Sequence, residues 1–450
     1  MAINVDQREA TATMRTVSRR ILPFLFVLYV VNYIDRANIG FAALQMNEEL
    51  GLSSQAFGLA AGLFFWGYFL FEVPSNLALA RFGARRWIAR ILVSWGILAT
   101  IMAFTHSATQ LYVLRFLLGV AEAGFFPGIV VYLTYWFRKK EVATATALFL
   151  TAIPASYILA APLSALIMDH VHWFGLSGWR WMFILEGAPA VLLGIACYFV
   201  LTERPADATW LTERQRAWLT AELDQEQQAN PHARKLSTLK VMADPKVLLL
   251  AVVYFVYQAG SLGVGYWLPQ IVKDFSDGLG NTAIGFISAI PYIVAAFGMV
   301  WWSRRSDRLG ERKLHSALPL ALAAVTLIAA GFTHSPVLGL AMIALSLTGL
   351  YGFKSPFWAL PTLFLTRSTA AVAVAVVNSI GNLGGFFGPY AIGWAKDSTG
   401  SATGGLIFLG GLVLVAFLLT LALRVGGGAE TSAGQPDTGE ASPTSSVPAP

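Results

Sequence analysis

Long apolar runs alternate with short polar connections along most of this chain. Each run has roughly 18 to 27 residues, and a helix of about 20 residues spans the hydrocarbon core of a bilayer, which is about 30 Å thick. A polar stretch separates six runs from six more. The runs cover residues 21–41, 56–80, 87–105, 110–136, 143–168, 180–202, 247–272, 282–302, 315–332, 337–362, 370–395 and 404–425. The pattern predicts an all-α integral membrane protein with twelve transmembrane helices in two six-helix bundles.

The composition agrees with this class. Hydrophobic residues make up 56% of the chain and charged residues 12%, against about 25% charged in soluble domains, and the mean hydropathy is +0.61. The single cysteine, Cys197, excludes a disulfide within the chain, and the six histidines show no metal-ligand spacing. We therefore expect no metal and no cofactor. No cleavage site follows the first run, which predicts a retained span and not a signal peptide.

The basic residues predict the orientation of the chain. Most of the 31 lysines and arginines lie before the first run, in alternate connections and in the central polar stretch. Three lie on the opposite side, and three lie within runs. By the positive-inside rule, both termini and the central stretch are cytoplasmic. The distribution also accounts for the formal net charge of +6 without a nucleic-acid partner. The three basic residues on the opposite side are Arg180, Lys273 and Lys396, and the three within runs are Arg36, Arg115 and Lys354.

These features divide the chain into five predicted parts. The last part is rich in Gly, Ser, Thr and Pro, a composition typical of disorder. The parts are a cytoplasmic N-terminal segment (1–19), the first six-helix bundle (20–202), a cytoplasmic linker with a short helix (203–246), the second six-helix bundle (247–425) and a cytoplasmic tail (426–450).

The linker is predicted to contain a short helix over about 212–223. Thr212 and Gln215 form a capping box at its start. Its apolar residues make no single stripe, which favours a spacer between the bundles over a helix docked on them. Both interpretations remain open.

Ionisable residues inside the runs predict a functional site. Asp35 and Arg36 are adjacent in the first run, where each costs about 2.5 to 3.5 kcal/mol at the helix centre unless it faces protein or water. Arg115 and Glu122 are seven residues apart, two helical turns, and so share one face of the fourth helix. Lys354 lies alone in the tenth run. We expect all five to face the interior of the bundles.

Two basic, glycine-containing turns occur at equivalent places in the two halves. One follows the second run and the other the eighth, as two structurally related halves would show. Glycine permits a tight turn, and arginine can pair with helix ends or acids. We interpret them as gating motifs; the alternative is generic positive-inside charge. The gating residues are Arg81, Gly83, Arg85 and Arg86 in the first turn, and Asp307, Arg308, Gly310 and Arg312 in the second.

Several stretches together resemble one family. They are 32–41 around Asp35, 71–76 (FEVPSN), 115–128 (RFLLGVAEAGFFPG), 178–181 (GWRW), 357–361 (FWALP) and the Gly-rich 378–394. With them, residues 20–425 resemble the major facilitator superfamily, and within it the anion:cation symporter family of proton-coupled carboxylate permeases. The resemblance implies a fold of two bundles related by pseudo-two-fold symmetry. The first basic turn of that family often carries an acid where Ala80 stands here, whereas the second turn keeps Asp307.

The resemblance also implies roles for residues. Asp35 and Glu122 resemble the proton carriers of the family, Arg36 a contact for the substrate carboxylate, and Arg115 the partner of an acid. The alternative for Asp35 and Arg115 is a structural ion pair between helices one and four. Tyr33 and Tyr68 match tyrosines with a substrate role, although a tyrosine in a span is often an interface anchor.

The second half offers further candidates from residue chemistry alone. Polar and aromatic residues in the spans could supply hydrogen bonds and a stacking wall to the substrate, or could join helices. Lys354 is outside the family pattern. We interpret it as a second cation for a dianionic substrate, with a salt bridge or snorkelling as the alternative. The other candidates are Gln258, Trp358, Asn378 and Asn382.

The sequence as a whole predicts a proton-coupled symporter of the inner (plasma) membrane. It would take up an organic carboxylate, a dicarboxylate such as phthalate or tartrate, by rocker-switch alternating access. Import of a dianion against an inside-negative potential of 100 mV costs about 4 to 5 kcal/mol, which two protons would offset. Sugar-acid or hydroxyphenylacetate uptake, an organic-anion exchanger and a drug efflux antiporter remain alternatives. No nucleophile–histidine arrangement points to an enzyme, and the resemblance implies a working monomer.

Overall fold

The computed structural model describes residues 6–228, 243–275, 278–333, 335–363 and 367–423, and within these ranges it is helical without strands. The predicted disordered tail and the middle of the linker lie outside the described residues. Most helices begin or end near the predicted runs, so the all-α fold class is confirmed.

The first half contains eight helices within the described residues. The connection between α4 and α5 is an abrupt bend, because Gly124 adopts the left-handed conformation (φ 84°) and a Cβ there would lie 2.4 Å from Ser75 Oγ. The helices are α1 (Gln7–Glu49), α2 (Ser54–Phe82), α3 (Ala84–Ile101), α4 (Ala108–Glu122), α5 (Phe125–Thr134), α6 (Lys139–Leu150), α7 (Ala152–His170) and α8 (Gly178–Val200).

The described part of the second half contains seven helices, preceded by α9 (Glu213–Gln228) in the linker. Short 3-10 turns occur at Met102–Phe104, Trp173–Gly175, Pro205–Asp207 and Leu360–Leu363. The seven are α10 (Pro245–Phe275), α11 (Asn281–Leu309), α12 (Lys313–Phe332), α13 (Pro336–Ala359), α14 (Arg367–Asn382), α15 (Gly384–Thr399) and α16 (Thr403–Ala422).

Within the described residues, eleven helical segments are long and apolar enough to cross a membrane. The fourth is α4 with α5, and the fifth is α6 with α7. The eleventh predicted run is covered by two helices, α14 and α15, of 16 residues each, which meet at Leu383. With this broken span counted as one, the prediction of twelve crossings is confirmed.

Each half packs mainly on itself. In the first half α3 packs on α8, α2 on α4 and α1 on α7, and in the second α13 packs on α12 and α11, and α10 on α15. Close approach of α2 and α4 depends on Gly119, where a Cβ would lie 2.0 Å from the Phe64 carbonyl oxygen. The halves meet along α2 with α15, α7 with α11 and α1 with α10. This arrangement places the middle of α1 between α4 and the second half.

The two ends of the molecule differ in how the halves are joined. We call the end that holds the start of α1 and the linker the linker side, and the opposite end the far side. On the far side, the Asp397 carboxylate of α15 accepts hydrogen bonds from the backbone N–H groups of Ser54 (2.9 Å) and Gln55 (2.8 Å), at the start of α2. A carboxylate of one half thus caps a helix of the other.

A second far-side cap repeats this arrangement at the pseudo-symmetric position. The Asp169 carboxylate at the end of α7 accepts from the Thr282 N–H (2.6 Å), the Thr282 hydroxyl (2.7 Å) and the Asn281 amide (2.7 Å), at the start of α11. This cap joins the fifth span to the eighth, whereas the Asp397 cap joins the eleventh span to the second. A carboxylate at a helix N-terminus is favourable because it meets free N–H groups and the positive end of the helix dipole. The two caps therefore hold the far side closed.

The linker helix α9 is docked on the first half, so the spacer interpretation is wrong. Its predicted capping box is confirmed, with Gln215 N–H donating to Thr212 Oγ1 at 3.3 Å and Thr212 N–H to Gln215 Oε1 at 3.1 Å. The Lys139 N–H donates to Glu226 Oε2 (3.0 Å), and the Arg138 guanidinium lies over the Trp218 ring, 5.2 Å from its centre. The helix buries Leu219 completely, which the scattered apolar pattern did not reveal.

Candidate functional site

The centre of the first half contains an ion pair between α1 and α4. The Arg36 Nε donates to Glu122 Oε1 at 2.6 Å, and Arg36 Nη2 contacts the same oxygen. The Glu122 side chain is fully buried, while the Arg36 side chain is 17% exposed. The second oxygen of Glu122 has no hydrogen-bond partner among the described residues. Arg36 therefore binds Glu122 and keeps some access to solvent.

Aromatic rings surround the Arg36 guanidinium. Its central carbon lies 5.3 Å from the centre of the Tyr33 ring, 5.2 Å from Tyr68 and 5.1 Å from Phe64. These distances are within the range of cation–π interactions. The structure therefore brings the predicted Tyr33 and Tyr68 to Arg36, and it adds Phe64, which the sequence analysis did not single out.

Asp35 points away from Arg36, toward α3. Its Oδ2 accepts a hydrogen bond from the Trp95 indole (2.6 Å) and its Oδ1 one from the Asn38 amide (3.1 Å). The residue is completely buried, and no cation of the described chain lies within ion-pair distance of it. A buried carboxylate without a cation costs several kcal/mol. Asp35 is therefore held by two hydrogen-bond donors and by no described cation. Sequence reasoning missed Trp95 because its position in an apolar run carries no signal of its partner.

Arg115 does not pair with an acid in this conformation. It is 1% exposed, and its guanidinium donates to the carbonyl oxygens of Ala60 and Ala61 in α2, each at 3.3 Å. It forms no ion pair with any described acid. The ion pair between helices one and four is thus Arg36–Glu122, and the alternative pair of Asp35 with Arg115 is wrong for this conformation.

A further acid, Glu186 of α8, is buried in the first half. It is 4% exposed, and its Oε1 accepts from the Ser164 hydroxyl of α7 at 2.7 Å. Its other oxygen has no hydrogen-bond partner, and no described cation pairs with it. Like Asp35, it is buried without a described cation. In the sequence, Glu186 is a lone glutamate in the sixth run, and it is not among the predicted site residues.

In the second half, Lys354 lies half-buried on α13. Its ammonium is 5.9 Å from the centre of the Tyr351 ring, and it forms no salt bridge with a described acid. The salt-bridge alternative therefore has no acidic partner among the described residues.

The remaining candidates form two contacts near the interface of the halves. Gln258 of α10 donates to Asn382 of α14 at 3.1 Å, so these two join helices of one half. The Asn378 amide donates to Glu72 of α2 at 3.5 Å, beside a 3.0 Å bond from the Ser379 hydroxyl, so this contact joins the halves.

Trp358 belongs to an aromatic cluster. Its ring centre is 4.8 Å from Tyr254 and 5.3 Å from Phe357, and it is half-buried. Trp358 therefore packs with two other rings, one of them also on α13, and its stacking against a substrate stays a prediction.

The first basic turn receives its acid from the sixth span. Glu203, just after α8, accepts hydrogen bonds from the N–H groups of Ala84 (2.6 Å) and Arg85 (3.0 Å), at the start of α3. Gly83 has φ 88°, and a Cβ there would lie 3.0 Å from Glu203. Glu203 thus stands in for the acid missing at Ala80. The Arg81 guanidinium lies over Phe82 and that of the half-buried Arg85 over Tyr198, while Arg86 is exposed.

The second basic turn has different internal contacts, but in it, too, a carboxylate caps the start of the next helix. Arg312 donates to Asp307 (2.7 Å), and Gly310 ends α11 in the left-handed conformation with φ 66°. The Glu311 carboxylate accepts from the N–H groups of Leu314 (2.8 Å) and His315 (3.0 Å), at the start of α12. Burial raises the pKa of Glu311, but these hydrogen bonds outweigh it and hold the pKa below its usual value.

Arg308, the remaining gating candidate, is exposed and takes no part in the contacts of the second turn. Among the described residues, no group of three or more His, Cys, Asp and Glu side chains lies together as a metal site would need. The chemistry of the site is therefore that of carboxyl groups, cations and aromatic rings.

Comparison with known proteins supplies the remaining findings. A family model described as the Major Facilitator Superfamily matches residues 25–389. The chain is 50% identical over 413 residues to a protein of Agrobacterium vitis provisionally named as a tartrate transporter, covering 92% of this chain and 95% of the relative. It is 41% identical over 407 residues to a protein of Acinetobacter baumannii named as a quinolone resistance transporter, covering 90% of this chain and 94% of the relative.

Solved structures show the same architecture. The crystal structure of a bacterial homologue of the human lysosomal transporter Spinster, inward-facing and unoccupied, matches with a TM-score of 0.74. The alignment covers 90% of this chain and 97% of that one, at 17% sequence identity. At this identity the likeness concerns the fold alone.

Proposed function

We propose a function from the premise that the chain belongs to the Major Facilitator Superfamily and is a membrane transporter and not an enzyme. Within this family, we infer a proton-coupled symporter that takes up an organic carboxylate, a dicarboxylate of the tartrate or phthalate class. The coupling ion is H⁺, and the working unit is a monomer. The observation that carries the proposal is the buried Arg36–Glu122 ion pair beside the cation-free Asp35.

The ion pair supports coupling of substrate and proton. A substrate carboxylate that takes two hydrogen bonds from Arg36 displaces Glu122, because one guanidinium fork serves both. The displaced carboxylate would remain buried without a cation, at a cost of several kcal/mol, and therefore takes up a proton. Binding of one carboxylate at Arg36 is thus accompanied by protonation of Glu122. Asp35, which is buried with two hydrogen-bond donors and no described cation, is the second proton carrier.

Lys354 supports a dianionic substrate. It has no acidic partner among the described residues. A dianion that lies between Arg36 and Lys354 would be attracted by both charges. Tyr33 and Tyr68 would orient the substrate hydroxyl or carboxyl groups, and Trp358 would flank it. Two protons with one dianion make the cycle electroneutral. The provisional tartrate assignment of the Agrobacterium relative agrees with this class.

The orientation follows the basic residues. We place the protein in the inner membrane with the linker side in the cytoplasm, because that side carries the excess of lysine and arginine. The Asp169 and Asp397 caps then close the periplasmic side. In the rocker-switch cycle, the two halves separate at these caps to admit substrate from the periplasm. The caps form again before substrate is released to the cytoplasm.

Transport by the purified protein in liposomes tests the proposal. Radiolabelled tartrate and phthalate are offered separately under an inward proton gradient, with and without a protonophore. We expect accumulation that the protonophore abolishes. Glu122→Gln should lose accumulation but keep exchange of labelled for unlabelled substrate within about threefold, because the neutral amide mimics the protonated acid. Arg36→Lys should weaken binding about tenfold or more, since lysine lacks the bidentate fork.

The matched control is Glu226→Gln, which removes an acid of α9 outside the bundles. It should accumulate substrate as the unchanged protein does. Proton-driven accumulation that survives Glu122→Gln would contradict the coupling role. Exchange without accumulation in the unchanged protein would favour an anion exchanger.

The quinolone resistance relative favours a second candidate, efflux by proton antiport. To decide between the two candidates, liposomes are loaded with a quinolone, and the loss of the drug is measured with and without a proton gradient. Antiport predicts proton-dependent loss of the drug and no accumulation of tartrate, the reverse of the symport result.

A further inference from the structure

The outer face of α11 carries three arginines close to the linker side. Arg304, Arg305 and Arg308 are all exposed. None of them forms an ion pair with a described acid, whereas their neighbour Arg312 is paired with Asp307. Three positive charges within about one helical turn repel one another, so an anion bound among them is stabilised.

An apolar surface continues directly from these arginines toward the middle of the membrane. Phe297, Val300 and Trp301 are 75%, 42% and 63% exposed. With the arginines and Leu309 they line a groove of about 650 Å³. The seven residues recur at spacings of three and four, so they form one face of the helix. The groove thus has an apolar half at the depth of acyl chains and a cationic half at the depth of head groups.

We propose that this groove binds an anionic phospholipid. The guanidinium groups of Arg304, Arg305 and Arg308 hold the phosphate, for which the planar fork of arginine is suited, and the acyl chains pack on Phe297, Val300 and Trp301. A zwitterionic lipid brings its own cation and no net negative charge, so it lowers the repulsion among the three arginines less than an anionic lipid does.

The other half of the molecule shows that membrane orientation alone does not require this surface. Arg81 and Gly83 of α2 correspond to Arg308 and Gly310 of α11, with the same spacing. The positions that correspond to Arg304 and Arg305 are Leu77 and Ala78. The pseudo-symmetric helix thus meets the positive-inside rule with one arginine on this face. Arg304 and Arg305, which have no counterparts on α2, therefore distinguish the lipid groove of α11.

Native mass spectrometry of the purified full chain tests the proposal with phosphatidylglycerol and phosphatidylcholine added separately. We expect phosphatidylglycerol to stay bound to the unchanged protein and phosphatidylcholine not to. The double change Arg304→Gln with Arg305→Gln should lower the bound phosphatidylglycerol at least tenfold. The matched control is Arg19→Gln with Arg20→Gln, which removes two adjacent exposed arginines from α1 and should leave binding unchanged. Inorganic phosphate should not compete, because it lacks the chains.

Equal retention in both double variants, or equal retention of the two lipids, would overturn the proposal. A second measurement needs no variant, in case the double change impairs folding. A photoreactive phosphatidylglycerol in mixed liposomes should label peptides of 297–309 above those of the α2 face around Leu77. Equal labelling of the two faces would also overturn the proposal. Neither experiment depends on the transported substrate.

Discussion

The far side is held closed by two carboxylates, and their removal should open it. Asp397 accepts two backbone hydrogen bonds at the start of α2, and Asp169 accepts three hydrogen bonds at the start of α11. Asparagine at either position keeps the shape but loses the charge, and its NH₂ group faces one of the N–H donors. We therefore choose Asp169→Asn and Asp397→Asn, separately and together.

The magnitude follows from the hydrogen bonds lost. A hydrogen bond to a charged group contributes about 1.5 to 3 kcal/mol when buried, and the helix dipole adds about 0.3 to 1 kcal/mol. Because these caps are partly exposed, we take about 1 to 1.5 kcal/mol for each. The caps share no partner, so their effects should add to about 2 to 3 kcal/mol. The ratio of far-side-open to far-side-closed molecules then rises roughly 30- to 150-fold.

Distance measurements between spin labels on the two halves would report this change. Suitable label sites are His172 of the first half and Leu279 of the second, both exposed on the far side. The native Cys197 is completely buried and should not react. The double variant should show a new population at longer distance. The control is Asp274→Asn, an acid on the same side that pairs with Lys396 within one half. A double variant with the distance distribution of this control would refute the reasoning.

Two further predictions concern buried positions. Glu186→Gln should change the free energy of unfolding by less than about 1 kcal/mol at neutral pH, because the amide oxygen can accept the same hydrogen bond from Ser164; a loss above about 2 kcal/mol in a denaturation assay would show that the acid is ionised. Gly119→Ala should lower stability by about 1 to 3 kcal/mol and impair transport, because its Cβ would meet the Phe64 carbonyl oxygen at 2.0 Å and separate α2 from α4. Its control, Gly411→Ala, has nothing within 4 Å and should be neutral or slightly stabilising; equal effects of the two alanines would exclude the packing argument.

The spans could be read from the sequence because a membrane makes helix formation a local requirement. Backbone groups in hydrocarbon must bond within their own helix, so an apolar run of sufficient length is a helix. The run 56–80 became α2, Ser54–Phe82. The capping box at Thr212 was also predictable, since its partners are three residues apart. The glycines of 378–394 predicted bending or close packing in the eleventh span, but not a break at Leu383, because the packing of Gly384 on Phe255 and of Gly381 on Tyr254 is tertiary.

The charged residues of the site were found, but not all of their partners. Asp35 and Arg36 are neighbours in sequence, and side chains one residue apart on a helix point about 100° apart. One therefore faces Trp95 of α3, and the other Glu122 of α4. Which acid meets which base depends on the rotation and crossing of α1, α3 and α4, and no spacing along one helix contains that information.

The sequence by itself thus determined the class of the protein, the number of spans, the two basic turns and the set of ionisable residues in the membrane. Each of these depends on periodicity, composition or neighbours within a few residues. Only the tertiary structure decided the Arg36–Glu122 pair, the Asp169 and Asp397 caps and the use of Glu203 in the first turn. These contacts join residues far apart in the chain, and their geometry is set by how helices pack.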